Sequence, residues 1–273
     1  MCISDFFTVS NGVRQGGILS PILFNVYMDD LSIILSGANI GCYINGVCFN
    51  HLGYADDSVI MAPSPSALQR LLELCNQYAK CNDIIFNTKK SFCMSFMPQK
   101  MVVKVPVIKL DGAILPPTDT HKYLGVLITS NDYDDLDINR QRRSVYARGN
   151  MLIMKFGNCS YDVKVQLFKT YCSSMYCLPL WRNYKASSLR ALRTAYNNCF
   201  RFFMHLKRDC SVSAKFLEFN LDCFNVIRRK LVFGLLERIN SSDNILISTL
   251  RNTLHFSYGS SLSKRWTEIL HVT

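Results

Sequence analysis

The texture of this 273-residue chain changes near residue 130. Before that point, short runs rich in β-branched and aromatic residues alternate with two helical stretches, which predicts an α+β fold. The β-like runs lie at 6–9, 47–54, 58–62, 92–97 and 122–129. After an acidic, loop-like stretch the sequence is helical nearly to its end, with breaks at Gly157, Pro179, 208–211 and 241–244. We therefore predict an α+β part followed by an all-helical part.

Charge divides at the same place. Residues 1–130 contain 9 Lys and Arg against 9 Asp and Glu, whereas residues 131–273 contain 22 against 11. The second half carries 14 Arg against 8 Lys, and the planar guanidinium suits phosphate better than an ammonium does. We therefore favour a polyanionic partner for the helical part, although a merely basic, solvated surface is the alternative.

The remaining composition favours an intracellular protein. No segment reaches the roughly 18 uninterrupted apolar residues of a membrane span, and the N-terminus lacks the basic region of a signal peptide. The twelve cysteines form no CxxC pair. Cys199, His205 and Cys210 come nearest to a zinc spacing, but free cysteines used as small apolar residues explain the pattern better. We expect a soluble protein of the cytoplasm, the nucleus or both.

The motif YMDD at 27–30 lies in a strongly marked helix. Ser20 fits an N-cap, Pro21 the first helical position, and Gly37 a C-cap. Successive side chains of a helix point about 100° apart, so the two aspartates of this motif are not expected to converge on metal ions. We interpret them as a helix edge that faces solvent.

The motif YADD at 54–57 has a different setting. The β-like runs VCFNHLGY and SVIMA flank it, so Asp56 and Asp57 are predicted at the tip of a β-hairpin. Such a tip is open to a large ligand, and two strands hold its geometry. An ordinary polar turn remains the alternative, because Asp favours turns on conformational grounds alone.

A helix predicted from about 188 to 208 has two distinct faces. An apolar stripe consists of Leu189, Leu192, Tyr196, Cys199, Phe203 and Leu206, and a second stripe of Arg190, Arg193, Asn197, Arg201, His205 and Arg208. Helical spacing accounts for both. The apolar stripe should lie in the core, and Arg190, Arg193, Arg201 and Arg208 could follow a nucleic-acid backbone. A merely soluble surface helix would show the same pattern.

Four motifs in fixed order resemble the later motifs of the reverse transcriptase domain of non-LTR (LINE-type) retrotransposons. They are GVRQGGILSPILFNVYMDDL at 12–31, GYADDSVIMAPS at 53–64, IIFNTKKSFCMSF at 84–96 and HKYLGVLIT at 121–129. FKTYCSSMYCLPLW at 168–181 and LRTAYNNCFRFFMHLKR at 192–208 resemble the helical region that follows this domain in jockey and CR1-like elements. The resemblance thus covers nearly the whole chain.

The resemblance implies an RNA-directed DNA polymerase acting on an RNA template, a DNA primer and deoxynucleotides. Asp56 and Asp57 match the aspartates that bind two catalytic Mg²⁺ ions, with Mn²⁺ as a possible substitute. Lys90, or its neighbour Lys89, matches a lysine near the triphosphate, with Asn87 fixing the turn before it. Further matched positions are Gln15, Gly16, Gly17, Tyr54 and Ala55 for template and nucleotide, and Tyr123, Leu124 and Gly125 for the primer. Read alone, the sequence around Tyr123 would simply be a buried strand.

The resemblance also sets expectations about domains and completeness. It implies a partial palm at 1–130 without the fingers or the first catalytic strand, an acidic linker at 131–137, a helical thumb-like region at 138–210 and a helical extension at 211–273. The family's third metal-binding carboxylate has no match, because Asp5 lacks its surrounding motif. We therefore expect negligible catalysis by this chain alone, marginal stability, and possible dependence on the absent N-terminal part. A non-enzymatic nucleic-acid-binding remnant is the alternative function.

Overall fold

The computed structural model describes residues 16–97, 106–253 and 261–271. The chain forms two compact units, one of residues 1–93 with 103–116 and one of residues 94–102 with 117–273. The first is a mixture of helices and small antiparallel sheets, and the second is mainly helical, so the expected α+β character is confirmed. The division lies near 116, earlier than the change of texture near 130, because the hairpin at 120–129 belongs to the helical unit.

In its described residues, the first unit combines two helices with three antiparallel strand pairs. Its helices are α1 (Ser20–Gly37) and α2 (Pro65–Cys81). Its paired strands are β1 (Cys42–Ile44) with β2 (Val47–Phe49), β3 (His51–Tyr54) with β4 (Asp57–Ile60), and β5 (Lys109–Leu110) with β6 (Ala113–Ile114). The β-like run predicted at 6–9 lies outside the described residues. The strand predicted at 92–97 is wrong, since only an isolated bridge at Cys93 forms there.

Helix α1 occupies almost the range that its capping signals predict. The N-cap is Leu19 and the C-cap is Ala38, so the predicted caps at Ser20 and Gly37 are each one residue inside the correct position. Asp29 and Asp30 are exposed within the helix, as expected. One long side of α1, continued by the two residues before it, is apolar and exposed; more than half of each residue is exposed at Ile18, Leu19, Ile22, Leu23, Val26 and Ile33.

The core of the first unit lies where α1 and α2 meet. Leu31 and Leu35 from α1 pack with Leu71, Cys75 and Tyr78 from α2. These α2 positions recur at three- and four-residue steps, which places them on one helix face. A smaller cluster formed by Leu72, Ile108, Leu110 and Leu115 attaches the β5–β6 pair to the other side of α2.

From residue 117 onward, the second unit consists of a hairpin followed by helices. The hairpin is β7 (Thr120–Tyr123) with β8 (Val126–Thr129). The helices are α3 (Asp135–Phe156), α4 (Tyr161–Cys172), a 3₁₀ turn at Leu178–Leu180, α5 (Ala186–Phe203), α6 (Val212–Glu218), α7 (Phe224–Asn240), α8 (Ile245–Asn252) and α9 (Ser261–Leu270). The predicted breaks at Gly157, Pro179, 208–211 and 241–244 are confirmed, because each falls outside an α-helix.

Aromatic side chains fill the core of the helical unit. The ring of Phe216 stacks on Phe200 at 4.1 Å and on Tyr196 at 5.4 Å between centroids. Phe168 completes the group from α4, with its ring 5.2 Å from Tyr196. Such ring pairs each contribute roughly 0.5–1.5 kcal/mol beyond area burial, so this cluster should anchor the fold of the unit.

The acidic stretch at 131–137 is irregular at 131–134, as its loop-like composition suggested, and helical from Asp135. Helix α3 begins at Asp135, and carboxylates in a first turn interact favourably with the helix dipole. Asp134 accepts hydrogen bonds from the backbone N–H groups of Arg182 and Asn183, both at 2.7 Å. Asp137 is fully buried. These residues are therefore packed parts of the helical unit.

Helices α3 and α5 approach each other closely at Gly149. A methyl group built on Gly149 would lie 2.6 Å from Cys199 Sγ and 2.9 Å from Cys199 Cβ. We expect Gly149→Ala to lower the free energy of unfolding by about 1–2 kcal/mol, because overpacking outweighs the gain in helix propensity. Gly234→Ala, on α7 with no atom within 4 Å of the new methyl, should instead stabilise by about 0.5–1 kcal/mol. Urea denaturation checks both, and equal signs would contradict the close approach.

Candidate active site

The aspartates of YADD lie at a tight hairpin, as the sequence predicts. Strands β3 and β4 are antiparallel with Tyr54 opposite Asp57, which leaves Ala55 and Asp56 as a two-residue turn. The four side chains are exposed, and neither carboxylate has a hydrogen-bond or ion-pair partner among the described residues. We call β3–β4 with this turn the aspartate hairpin.

The turn of the aspartate hairpin holds an unfavourable backbone conformation. Ala55 has a φ of +51°, in the left-handed region that costs an L-residue roughly 1–2 kcal/mol. Two-residue hairpin loops require positive φ because their twist then matches that of the strands. The strain is therefore a consequence of the tight turn that exposes both carboxylates.

A buried amide attaches the base of this hairpin to α1. Asn50 is 2% exposed, and its Nδ2 donates to the carbonyl oxygens of Leu35 at 2.6 Å and Ile40 at 2.8 Å. The backbone carbonyl of Asn50 accepts from the N–H of Met61 at 2.7 Å, which extends the pairing of the hairpin by one step. Asn50 thereby fixes the hairpin relative to the end of α1.

His51 continues this connection and has a defined tautomer. Both Nδ2 protons of Asn50 are used, so its Oδ1 must accept the contact with His51 Nδ1 at 2.7 Å. Nδ1 therefore carries the proton, and Nε2 accepts from the Ser32 hydroxyl at 2.7 Å. Burial lowers the pKa of His51 below its ordinary value of 6.5. The lowered pKa favours the neutral ring, and in that form the Nδ1–H tautomer satisfies both contacts.

Acidification should loosen the aspartate hairpin through His51. Since the folded-state pKa is lowered, the unfolded state binds more protons once the pH falls below about 6.5. Stability should therefore be fully present above that value and fall as the pH decreases toward the folded-state pKa. Hydrogen exchange of the amides at 51–60, compared at pH 7.5 and 5.5 after correction for intrinsic rates, checks this.

His51→Gln should flatten this pH dependence, because the titrating ring is gone. His271→Gln, at an exposed position directly after α9, is the matched control and should keep it. An unchanged pH dependence in His51→Gln would contradict the role of this ring.

The donor atoms of the aspartate hairpin suit a hard divalent cation. Carboxylate oxygens are the ligands that Mg²⁺ prefers, and Mg²⁺ commonly binds through one or two carboxylates with waters and substrate phosphates. Among the described residues, no third His, Cys, Asp or Glu joins Asp56 and Asp57 in a cluster of three. Asp5 lies outside that part of the chain. The two carboxylates therefore form an incomplete but chemically suitable metal site.

The glycine loop before α1 is described only in part. Gln15 lies outside the described residues. Gly16 is exposed with a φ of +79°, a conformation that favours glycine, and the carbonyl of Gly17 accepts from Ser20 N–H at 3.2 Å. The loop is thus a turn that opens a helix, and its predicted contact with a template remains a prediction.

The predicted turn around Asn87 is present. Its Oδ1 accepts from the backbone N–H of Lys90 at 3.2 Å, and its carbonyl accepts from the same N–H at 3.0 Å. Both Lys89 and Lys90 are exposed. Either lysine could therefore contact an anion, and the structure does not distinguish which of the two is the functional lysine.

The segment YLGV forms a second hairpin rather than the single buried strand that it suggests when read alone. Tyr123 faces Val126 across β7 and β8, and the turn residues Leu124 and Gly125 have φ values of +45° and +85°. Positive φ at both positions is typical of a type I′ turn. We call β7–β8 with this turn the second hairpin.

The arginine stripe predicted on α5 is shorter than expected. Helix α5 ends at Phe203, and His205 has a φ of +52°, so the chain turns away before Arg208. Arg190 and Arg193 are exposed on the helix, but Arg201 donates from Nη1 to the carbonyl of Arg208 at 3.0 Å. The predicted apolar stripe is confirmed, since Leu192, Tyr196, Cys199 and Phe203 are buried and Leu189 and Leu206 partly so.

Comparison with known proteins gives a consistent relationship. Residues 3–128 match the family model described as reverse transcriptase (RNA-dependent DNA polymerase). The Pol polyprotein of the type-2 retrotransposable element R2DM from Drosophila melanogaster is 31% identical over 134 residues, which is 46% of this chain and 13% of that protein. The Pol polyprotein of the type-1 element R2 from Popillia japonica is 32% identical over 124 residues, which is 43% of this chain and 17% of that protein.

A third relative extends further along this chain. The RNA-directed DNA polymerase from mobile element jockey of Drosophila funebris is 23% identical over 173 residues, covering 62% of this chain and 19% of the relative. The chain therefore spans less than a fifth of each of these three proteins.

Proposed function

We propose, from the homology of residues 3–128 with the reverse transcriptases of non-LTR retrotransposons, that this chain contributes metal- and primer-binding elements to an RNA-directed DNA polymerase. The observation that carries the proposal is the aspartate hairpin. Its two carboxylates are exposed and unpaired among the described residues, and they lie inside the matched segment. The palm-like role of the first unit and the thumb-like role of the second belong to this proposal.

Each site element would then have a defined task. Asp56 and Asp57 would hold Mg²⁺, which supplies activation of the primer 3′-hydroxyl and charge neutralisation on the incoming triphosphate. Lys90, or Lys89, would lie near the triphosphate and donate a proton to the leaving pyrophosphate. Gln15, Gly16 and Gly17, with Tyr54 and Ala55, would contact the template and nucleotide, and the second hairpin would contact the primer.

Templated primer extension tests this function. The assay uses the whole chain with Mg²⁺, deoxynucleotides and a DNA primer annealed to RNA. Extension that disappears in Asp56→Asn but persists in Asp29→Asn would support the polymerase. Because negligible catalysis by this chain alone is expected, an absence of extension leaves the choice to metal binding: an aspartate hairpin that binds Mn²⁺ would favour the polymerase, and one that does not would favour the second candidate function.

That second candidate is nucleic-acid binding without catalysis. It is favoured by the charge excess of the helical half and by the absence of a third acidic ligand among the described residues. Salt-sensitive binding of the RNA–DNA duplex without extension would support it, because neutralised phosphates release counterions. If the chain showed no duplex binding and no primer extension, both functions would be contradicted.

The remaining arginine stripe gives a measurable salt effect. We expect Arg190→Ala with Arg193→Ala to weaken duplex binding and to reduce the slope of log K against log salt by about 2, because two phosphate contacts are lost. Fluorescence anisotropy at several salt concentrations measures this slope. Arg238→Ala with Lys264→Ala, at exposed positions on α7 and α9, is the charge-matched control. Equal slopes in the two double variants would show that α5 makes no special contact.

A further inference from the structure

A buried carboxylate on α3 joins the second hairpin to the helices of the second unit. Asp137 is fully buried in the first turn of α3. It accepts hydrogen bonds from Trp181 Nε1 at 2.8 Å and from the backbone N–H of Leu127 at 3.1 Å. Arg140 adds a donor from Nε at 2.8 Å and an ion pair through Nη2 at 2.6 Å. The charge is thus compensated by a cation and hydrogen bonds, as a buried carboxylate requires.

The same arginine contacts the turn of the second hairpin. Arg140 Nη2 donates to the carbonyl oxygen of Gly125 at 2.7 Å, and the Cys177 thiol approaches that oxygen at 3.4 Å. One guanidinium therefore connects the buried carboxylate with the turn itself. Because guanidinium nitrogens are coplanar and rigidly spaced, the position of Asp137 determines where the donor to Gly125 lies.

This turn needs such support. Leu124 has a φ of +45°, which costs an L-residue roughly 1–2 kcal/mol, and the residue is 39% exposed. A branched residue in this conformation gains little from local packing when it is exposed. Strained positions persist only where surrounding contacts determine them, and the contacts of Gly125 with Arg140 and Cys177 are of that kind.

We propose that Asp137 and Arg140 are positioning residues, which hold the Leu124–Gly125 turn in the conformation that contacts a primer strand. This inference rests on the primer role given to the second hairpin under the proposed function. It adds two residues outside the matched segment at 3–128 and assigns them a task that acts through the turn. Neither residue is required to touch the primer.

Site-specific photocrosslinking in the whole chain tests the proposal. Tyr123, adjacent to the turn, is replaced by p-azidophenylalanine, and a DNA primer annealed to an RNA template is irradiated in the complex. The crosslinked primer nucleotide is mapped and duplex affinity is measured on the same sample. The parent chain, which carries p-azidophenylalanine at position 123 and no other change, should crosslink mainly at one primer position.

Arg140→Ala should reduce crosslinking at that position by roughly fivefold and spread it over neighbouring nucleotides, since the Gly125 hydrogen bond is lost. Arg140→Lys should restore the pattern only in part, because an ammonium cannot reproduce the simultaneous, coplanar hydrogen bonds of the guanidinium to Asp137 and the Gly125 carbonyl. Arg143→Ala removes the same charge from an exposed position of α3 and should keep the parental pattern. Asp137→Asn preserves side-chain size and should resemble Arg140→Ala.

The outcomes separate this inference from the proposed function. If Arg140→Ala and Arg143→Ala give the same crosslink pattern, the positioning role is overturned. If duplex binding and all crosslinks fall together in Arg140→Ala, and Arg140→Lys restores neither, the residue is merely structural and the proposal also fails. A parent that binds duplex without crosslinking the primer overturns the primer role and this inference with it. Specific crosslinking without primer extension supports both positioning and the primer role, since negligible catalysis by the chain alone is expected.

Discussion

Asn50→Ala should lower the free energy of unfolding of the first unit by about 3 kcal/mol, since the three hydrogen bonds of this buried amide contribute about 1 kcal/mol each. The lost contacts are those of Nδ2 with the Leu35 and Ile40 carbonyls and of Oδ1 with His51. Alanine would offer the two carbonyls and the His51 ring no hydrogen-bond partner, so the cost of their desolvation would add to the loss of stability. Urea denaturation measures the change, and hydrogen exchange of the amides at 51–60 locates it.

Gln77→Ala is the matched control for this prediction. Gln77 is an exposed amide on α2, and surface substitutions of this kind usually change stability by less than about 0.5 kcal/mol. If Asn50→Ala and Gln77→Ala were equally stable, the buried amide would not fix the hairpin. If Asn50→Ala lost stability but the hairpin amides kept their protection, Asn50 would support α1 alone.

Asn50 also links stability to the candidate chemistry. The aspartate hairpin is a two-stranded pair among the described residues, and isolated hairpins are marginally stable in water. Contacts at its base must therefore keep the strained turn at Ala55 in place. Loss of these contacts should make the positions of the two carboxylates less well defined. It should therefore weaken the binding of any metal ion that both carboxylates hold.

Local signals were sufficient for several elements. The β-like runs around YADD predicted the hairpin because alternation and turn residues act over a few positions. The spacing of Leu192, Tyr196, Cys199 and Phe203 predicted the buried face of α5 because helical periodicity is local too. In both cases, the local pattern is enough to predict the element, while contacts with other elements stabilise it.

Long-range contacts explain the errors. The run at 92–97 has strand-forming residues, but no partner strand pairs with them beyond the bridge at Cys93. The acidic stretch was expected to be a loop throughout, but only 131–134 are irregular, and Asp134 and Asp137 accept hydrogen bonds from residues more than 40 positions away. The α5 stripe was extended past Phe203 because the left-handed turn at His205 has no glycine to mark it.

The residues that support the candidate site were missed for the same reason. Asn50 is a single polar residue within an apolar run, and His51 has no partner spacing that indicates a function. Asp137 could be recognised in the sequence only as one of several nearby acidic residues. Their importance follows from burial and from partners on other elements, which sequence periodicity does not encode.

The described helices include none long and apolar enough to cross a bilayer. The uncovered apolar side of α1 is a different kind of feature, since exposed apolar surface of this type marks interaction or aggregation sites. Its presence agrees with the expected marginal stability of the chain, and the stability itself remains a prediction.

The most direct test of a metal-binding hairpin is to locate a paramagnetic divalent ion on the whole chain. Mn²⁺ titrated into ¹⁵N-labelled protein should broaden amide resonances at 54–58. Asp56→Asn or Asp57→Asn should weaken Mn²⁺ binding on the order of tenfold, because each variant removes one of the two carboxylates that neutralise the charge of the ion. Asp29→Asn with Asp30→Asn removes the other adjacent, exposed aspartate pair and should leave the broadening unchanged. Broadening centred on 29–30, or none at 54–58, would contradict a metal site at the aspartate hairpin.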